Sequence, residues 1–230
     1  MRSDDTAAAS AKYRDSSGRT LTDYPRPSVA VDTALLTVLP GEDHLSVLQA
    51  QRPEPAGWAL PGTFLHEGER LIDAVRRSLR AKAGVEGMSP RQLQVFDDPH
   101  RDSRGWVLSV AHVDVVRADH LQHRLPGRTR LVPAGRPGRL PYGHEQIIER
   151  AVADVRNRYA TAPDPDRLLA EPFTILELRA LHESVAGRPL QRDTFRRLME
   201  PQLAGTGEMT SGTRGRPAEL FRHRRAPSSR

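Results

Sequence analysis

The sequence predicts an α/β chain in two parts: an α+β domain built on a mixed sheet with helices, then a small C-terminal domain of two helices and a β-hairpin. Three observations predict it. Strand-like and helix-like runs alternate through the first two thirds of the chain. A Pro- and Asp-rich break follows at 160–166. Beyond it come a helix, a turn, a basic helix and a glycine-rich basic segment, in that order.

The elements follow in order. Residues 1–26 are polar and aperiodic and are expected to form a flexible arm. Val29–Leu39 and Leu45–Gln51 are rich in β-formers and bracket a Pro-Gly-Glu-Asp turn at 40–43, the pattern of paired strands. Arg70–Ala83 places apolar residues at 71, 72, 75 and 79, which is helical spacing, and Gly84 is positioned to end that helix. Leu93–Phe96 and Trp106–Val116 read as further strands. Residues 117–143 read as a long loop with a short strand near Leu131-Val132. His144–Tyr159 carries Ile147, Ile148, Ala151, Val152 and Val155 on one helical face. The expected organisation is therefore an arm at 1–26, a first domain at 27–160, a linker at 161–168, a second domain at 169–225 and a disordered tail at 226–230.

The second domain begins with a capping box, Thr174 with Glu177, and with Phe173 and Leu178 spaced for a hydrophobic staple. An amphipathic helix over 175–185 is expected to bury Leu176, Leu178, Leu181 and Val185 and to end at Gly187. A second helix over Gln191–Glu200 is expected to turn Phe195, Leu198 and Met199 inward. Residues 203–222 suit a hairpin with an arginine tip. Helix, turn, basic helix, basic hairpin is the order of a winged helix-turn-helix, whose second helix enters the DNA major groove. Gln191, Arg192, Thr194, Arg196 and Arg197 are the candidates for the DNA face, and Arg214 and Arg216 for the wing. Arginine reads guanine bidentately or clamps phosphate, and the sequence leaves open which of these each one does.

Charge supports that reading. Residues 187–230 hold ten arginines against four acids, an excess equal to the +6 of the whole chain. The first 186 residues are thus neutral overall, and a basic segment on a neutral domain is a nucleic-acid footprint. Lysine occurs only at 12 and 82. There is no cysteine, which excludes disulfides, thiolate zinc sites and a cysteine nucleophile. No apolar run approaches the roughly 18 residues of a membrane span, and the N-terminus has no apolar signal-peptide core, so a cytoplasmic, nucleoid-associated protein is expected.

The most specific stretch is Leu60–Val85, LPGTFLHEGERLIDAVRRSLRAKAGV. It resembles the Nudix box, G-x5-E-x7-R-E-U-x-E-E-x-G-U with U aliphatic. Glu69 and Arg77 stand the required seven residues apart, and the frame continues through Leu79, Gly84 and Val85. The first glycine position holds Thr63, and the three later glutamate positions hold Ser78, Ala81 and Lys82. The resemblance implies a Nudix fold whose relatives hydrolyse phosphoanhydrides with Mg²⁺ held by box carboxylates. Mg²⁺ requires oxygen ligands in near-octahedral array, and a lysine in their place repels it. No catalytic residue, metal site or required cofactor is therefore expected.

A degenerate Nudix box followed by a short winged helix resembles the NrtR family, the Nudix-related transcriptional regulators of NAD metabolism. The resemblance covers residues 26–224 and is carried by the box and by FTILELRALHESVAGRPLQRDTFRRLM with GTRGRPAELFRH. It implies a homodimeric repressor of NAD biosynthesis or salvage genes, bound to double-stranded DNA at a palindromic operator. Its Nudix domain would bind ADP-ribose or a related nucleotide as effector. A diphosphate calls for cations and backbone donors, and Arg52, Glu69 and Arg77 are the candidate effector residues. Arg77 equally suits a brace for the box loop, and Arg52 a surface position. Trp58 and Trp106 suit core positions better than adenine stacking. The competing reading is an active Nudix ADP-ribose pyrophosphatase with an appended basic domain.

Overall fold

The computed structural model describes residues 13–54, 56–210 and 217–224. The first domain is built on seven strands: β1 (Ser28–Val38), β2 (Leu45–Arg52), β3 (Gly57–Ala59), β4 (Gly62–Phe64), β5 (Arg91–Phe96), β6 (Val107–Val115) and β7 (Thr129–Pro133). The main path runs β3-β2-β1-β6-β5, with β4 also paired to β1 and β7 to β2. β1 and β6 run parallel over nine residue pairs from Ser28↔Val107 to Leu36↔Val115, while the other pairings are antiparallel. The sheet is mixed, as the sequence predicts.

Alternation along β1 divides the core. Val31 and Leu35 face helix α1 (Leu71–Ala83) and pack with Val75, Leu79 and Ala83. Ala34 and Leu36 face the other way and pack with Ile147, Ile148, Ala151 and Val155 of helix α2 (His144–Tyr159). Successive side chains of a strand point to opposite faces, so Asp32 shares the α2 side with Ala34 and Leu36. Helix α1 ends where Gly84 takes the left-handed conformation at φ 67°, with Val85 N–H donating to the Leu79 carbonyl.

The second domain has β8 (Phe173–Thr174), α3 (Ile175–Ala186), α4 (Arg192–Met199), β9 (Leu203–Met209) and β10 (Glu219–His223), with sheet order β8-β10-β9. Phe173, Leu178, Phe195, Met199, Leu203 and Phe221 form its core. The capping box is made in both directions: Thr174 Oγ1 accepts from Glu177 N–H at 3.2 Å, and Glu177 Oε2 accepts from Thr174 N–H at 2.7 Å. Two helices and a small three-stranded sheet thus follow the mixed-sheet domain, in the order the sequence predicts.

Several expectations are corrected. Leu176 and Leu198, read as inward, are 62% and 49% exposed, because a helix of this size packs on one side only and Leu178, Phe195 and Met199 already fill it. Trp106 is 48% exposed and precedes β6, so it is not a core residue. Trp58 packs against the larger core with its ring under Arg130, 4.4 Å from the guanidinium. Residues 13–24, expected within a flexible arm, hold a turn in which Asp15 accepts from the Ser17 and Arg19 amides, then a 3-10 turn at Leu21–Asp23.

The expected linker is a packed joint. Asp164 is buried and accepts from Tyr159 Oη at 2.9 Å and from the Leu168 and Leu169 amides. Its amide donates to His182 Nε2 on α3, and its carboxylate lies 3.3 Å from His223 Nε2 on β10. Leu181 and Val185 of α3 join the first domain's core, and Arg156 of α2 donates to the Val185 carbonyl. Charges and apolar groups from both domains thus meet at one place.

Candidate functional site

A cavity of about 420 Å³ opens over β1, β2, β3 and β4. Among the described residues, five cations line it (Arg52, Lys82, Arg101, Arg104 and Arg128) against three carboxylates (Asp32, Glu54 and Asp102). Phe64 and Tyr142 supply the aromatic wall.

At its floor lies Asp32, buried on β1 and in register with Gly62 of β4. Ser109 Oγ donates to Asp32 Oδ2 at 2.6 Å, and Arg101 stands 3.8 Å away. The Leu60 amide donates to His144 Nδ1 at 3.0 Å, which places the ring proton of a neutral imidazole on Nε2, 3.2 Å from Asp32 Oδ1. Burial pushes the Asp32 carboxyl up, but His144, Ser109 and Arg101 together hold it below its ordinary range. The first residue of α2 and the middle of β1 therefore form one charged unit beneath the cavity.

The wall above it is arginine against aromatic. Arg104 lies 4.2 Å from the Tyr142 ring and 5.0 Å from the Phe64 ring, and forks onto Asp102 at 2.9 and 2.7 Å. Arg52 donates to Tyr142 Oη at 2.8 Å and lies 5.0 Å from the same ring. Arg101 donates to the Tyr142 carbonyl at 2.7 Å. Cations stacked on rings are held in one orientation at little further entropic cost on binding. Such a wall suits a planar base and a diphosphate.

Of the three expected effector residues, Arg52 lines the cavity. Glu69 and Arg77 are not among the residues that line it. Arg77 forks onto Glu69 at 2.9 and 2.8 Å and donates to Thr63 Oγ1 and the Phe64 carbonyl. Glu69 also accepts from the His66 amide. Hydrogen bonds to Arg77 hold Glu69 down at about 2, so the pair is ionised and braces the loop from β4 into α1. Ser78 lies buried against the core with its hydroxyl unpartnered.

Asp32, Arg101, Arg104, Tyr142 and His144 were not singled out from the sequence as effector residues. Asp32 carried a signal, an acid in the middle of an apolar strand. The others come from residues 97–106 and 134–143 and the start of α2, where only folding brings them together.

On the second domain, Arg192, Thr194 and Arg197 are exposed on α4. Gln191 is the N-cap, its side-chain oxygen accepting from the Thr194 amide. Arg196 is exposed but ion-paired with Glu200. Arg214 and Arg216 lie outside the described residues.

Comparison with known proteins places these features in context. Residues 166–223 match the NrtR DNA-binding winged helix domain, and residues 30–133 match the NUDIX domain. The chain is similar to the "ADPR responsive transcriptional repressor NtrR" of Acinetobacter baylyi, 27% identical over 208 residues that cover 87% of this chain and 83% of that one. The crystal structure of Shewanella oneidensis NrtR with a 27mer DNA superposes with a TM-score of 0.71 at 31% identity, covering 85% of this chain and 93% of the other. An ADP-ribose pyrophosphatase of Methanocaldococcus jannaschii is 28% identical over 129 residues, 55% of this chain and 73% of that one. Among the described residues, no helix is long and apolar enough to cross a membrane.

Proposed function

The chain belongs to the NrtR family, and on that premise we propose that it is a DNA-binding transcriptional repressor whose Nudix domain senses ADP-ribose. The observation that carries this is the combination of an arginine-rich cavity over the sheet with an exposed basic helix on the winged domain. Arg52 and Arg104 meet the diphosphate, and the Phe64–Tyr142 wall meets the adenine or ribose rings. A homodimer bound to a palindromic operator near NAD biosynthesis or salvage genes fits the family, since two-fold protein symmetry mirrors a palindrome.

The effector acts by binding two arrangements of the protein unequally. Asp164 and its partners supply the rigid link: a shift in α2, whose first residue His144 touches the cavity floor, is passed at Tyr159 to α3 and β10. The test is titration of labelled DNA from upstream of this gene and its neighbours, with and without saturating ADP-ribose. Coupling of this kind is expected to change the affinity by about 5- to 150-fold. Unchanged affinity at saturation rules the sensor out.

We infer further that the domain does not hydrolyse its ligand. Ser78, Ala81 and Lys82 occupy the box-glutamate positions, and Glu69 is spent on Arg77. The similarity to an ADP-ribose pyrophosphatase favours the opposite reading. AMP release from ADP-ribose with Mg²⁺ or Mn²⁺ at rates on the order of 1 per second would establish the enzyme; release at background rates supports the sensor.

A further inference from the structure

Lys82 sits in the last turn of α1, at a box position where hydrolytic relatives carry a glutamate. The residue is exposed overall, and its ammonium reaches into the cavity and donates to the Gly62 carbonyl. An ammonium has three N–H donors and here spends one on the protein, leaving two for a ligand. Burial pushes the Lys82 ammonium below its ordinary range; Asp32 opposes that, and Arg104 and Arg52 add to it. An anion arriving among these cations relieves their mutual repulsion.

The same place does not fit a divalent metal. Mg²⁺ takes one or two carboxylates together with phosphate and water. Ser78 and Ala81 offer none, and Glu69 is held by Arg77 and the His66 amide. Asp102 is forked by Arg104, and Asp32 is engaged by Ser109, His144 and Arg101. Glu54 lies at the exposed rim. Among the described residues, the five cations and three carboxylates of the wall leave a net of two positive charges. That balances a diphosphate diester.

We propose that the Lys82 ammonium takes the place of the divalent ion, so that this chain binds a nucleoside diphosphate-sugar without metal. The inference rests on the effector reading above and sharpens it. A tethered ammonium neutralises a phosphate oxygen, but it is not a Lewis acid that generates hydroxide from bound water. Lys82 thereby keeps the anion site, while the loss of the carboxylates at 78, 81 and 82 removes the means of cleaving the ligand.

The test is calorimetric titration of ADP-ribose into the full chain in Mg²⁺ and in EDTA, for wild type, Lys82→Arg and Lys82→Met, with a melting curve for each. Wild-type affinity is expected to agree between the two buffers within about twofold, and Lys82→Met to bind about tenfold or more weakly in both, the value of one charge-assisted hydrogen bond. Lys82→Arg, which keeps the charge, is expected to retain most of the affinity. Wild-type binding that collapses in EDTA overturns the role of Lys82 while leaving the effector reading intact. Lys82→Met binding as tightly as wild type does the same. No binding of ADP-ribose by wild type in either buffer overturns the effector reading, and this inference with it. If Lys82→Met does not fold, the comparison of wild type in Mg²⁺ and EDTA still decides.

Discussion

Gly62 is the residue at which the cavity tolerates least. A Cβ added there would stand 1.9 Å from Asp32 Oδ1 and 2.9 Å from the Val31 carbonyl. Neither neighbour can yield, because Asp32 is anchored by Ser109 and the carbonyl belongs to the sheet. Gly62→Ala is therefore expected to cost about 1–3 kcal/mol, the range for forcing volume into a packed site. A urea midpoint equal to that of wild type would show that β4 and β1 separate freely, against the register seen here. Thr63, one residue on at the first glycine position of the box, uses its hydroxyl to receive Arg77.

At the scale of the element, α4 is expected to set DNA affinity. Arg192 and Arg197 are exposed with no salt-bridge partner among the described residues, whereas Arg196 is drawn to Glu200. Substituting Arg192 or Arg197 by Ala is expected to weaken operator binding about tenfold and to lower the slope of log K against log salt by about 0.9 for each phosphate no longer neutralised. Arg196→Ala is expected to do less, since its guanidinium must first leave Glu200. Fluorescence anisotropy on the operator between low and moderate salt checks this; equal effects for all three would mean that the Glu200 pair does not form in the complex. Helix α4 is held in place by Phe195 and Met199 alone on its inner face, with Leu198 left exposed beside the arginines. That exposure follows from a helix of 8 residues, too short to bury three large side chains against one small core.

At the scale of the whole molecule, the joint at Asp164 ties stability to pH. His182 lies between Tyr159 and Phe195, 5.0 Å from each ring, and burial holds it down to about 4 although Asp164 opposes this. Unfolded, the same imidazole takes a proton near 6.5. Between these values the unfolded chain binds more protons, so stability falls as the pH drops through that window and is unaffected above it. The loss by pH 4 is on the order of 3 kcal/mol. Thermal melts of wild type and His182→Gln across pH 4 to 7 are expected to converge as the pH falls; parallel curves would mean that His182 stays solvated. Because the ring touches residues of both domains, the same acidification is expected to loosen their mutual packing.

Periodicity and caps were legible in the sequence because they are local. Five of the seven strands of the first domain, α1 with its Gly84 stop and the Thr174–Glu177 capping box each follow from residues a few positions apart, whereas the three-residue strands β3 and β4 are too short to show a pattern. The box frame, the basic C-terminal segment and the family are likewise written in short runs. The cavity was not legible, because its walls come from separated stretches of chain: Asp32 from β1, Lys82 from α1, Arg101 and Arg104 from residues 97–106, and Tyr142 and His144 from either side of the start of α2. A linear pattern cannot show that Arg77 spends its donors on its own loop while Lys82, five residues on, reaches the cavity. Sequence determined the longer elements and their order. Only the tertiary structure decided which charges face one another, since that depends on sheet register and helix rotation rather than on spacing along the chain.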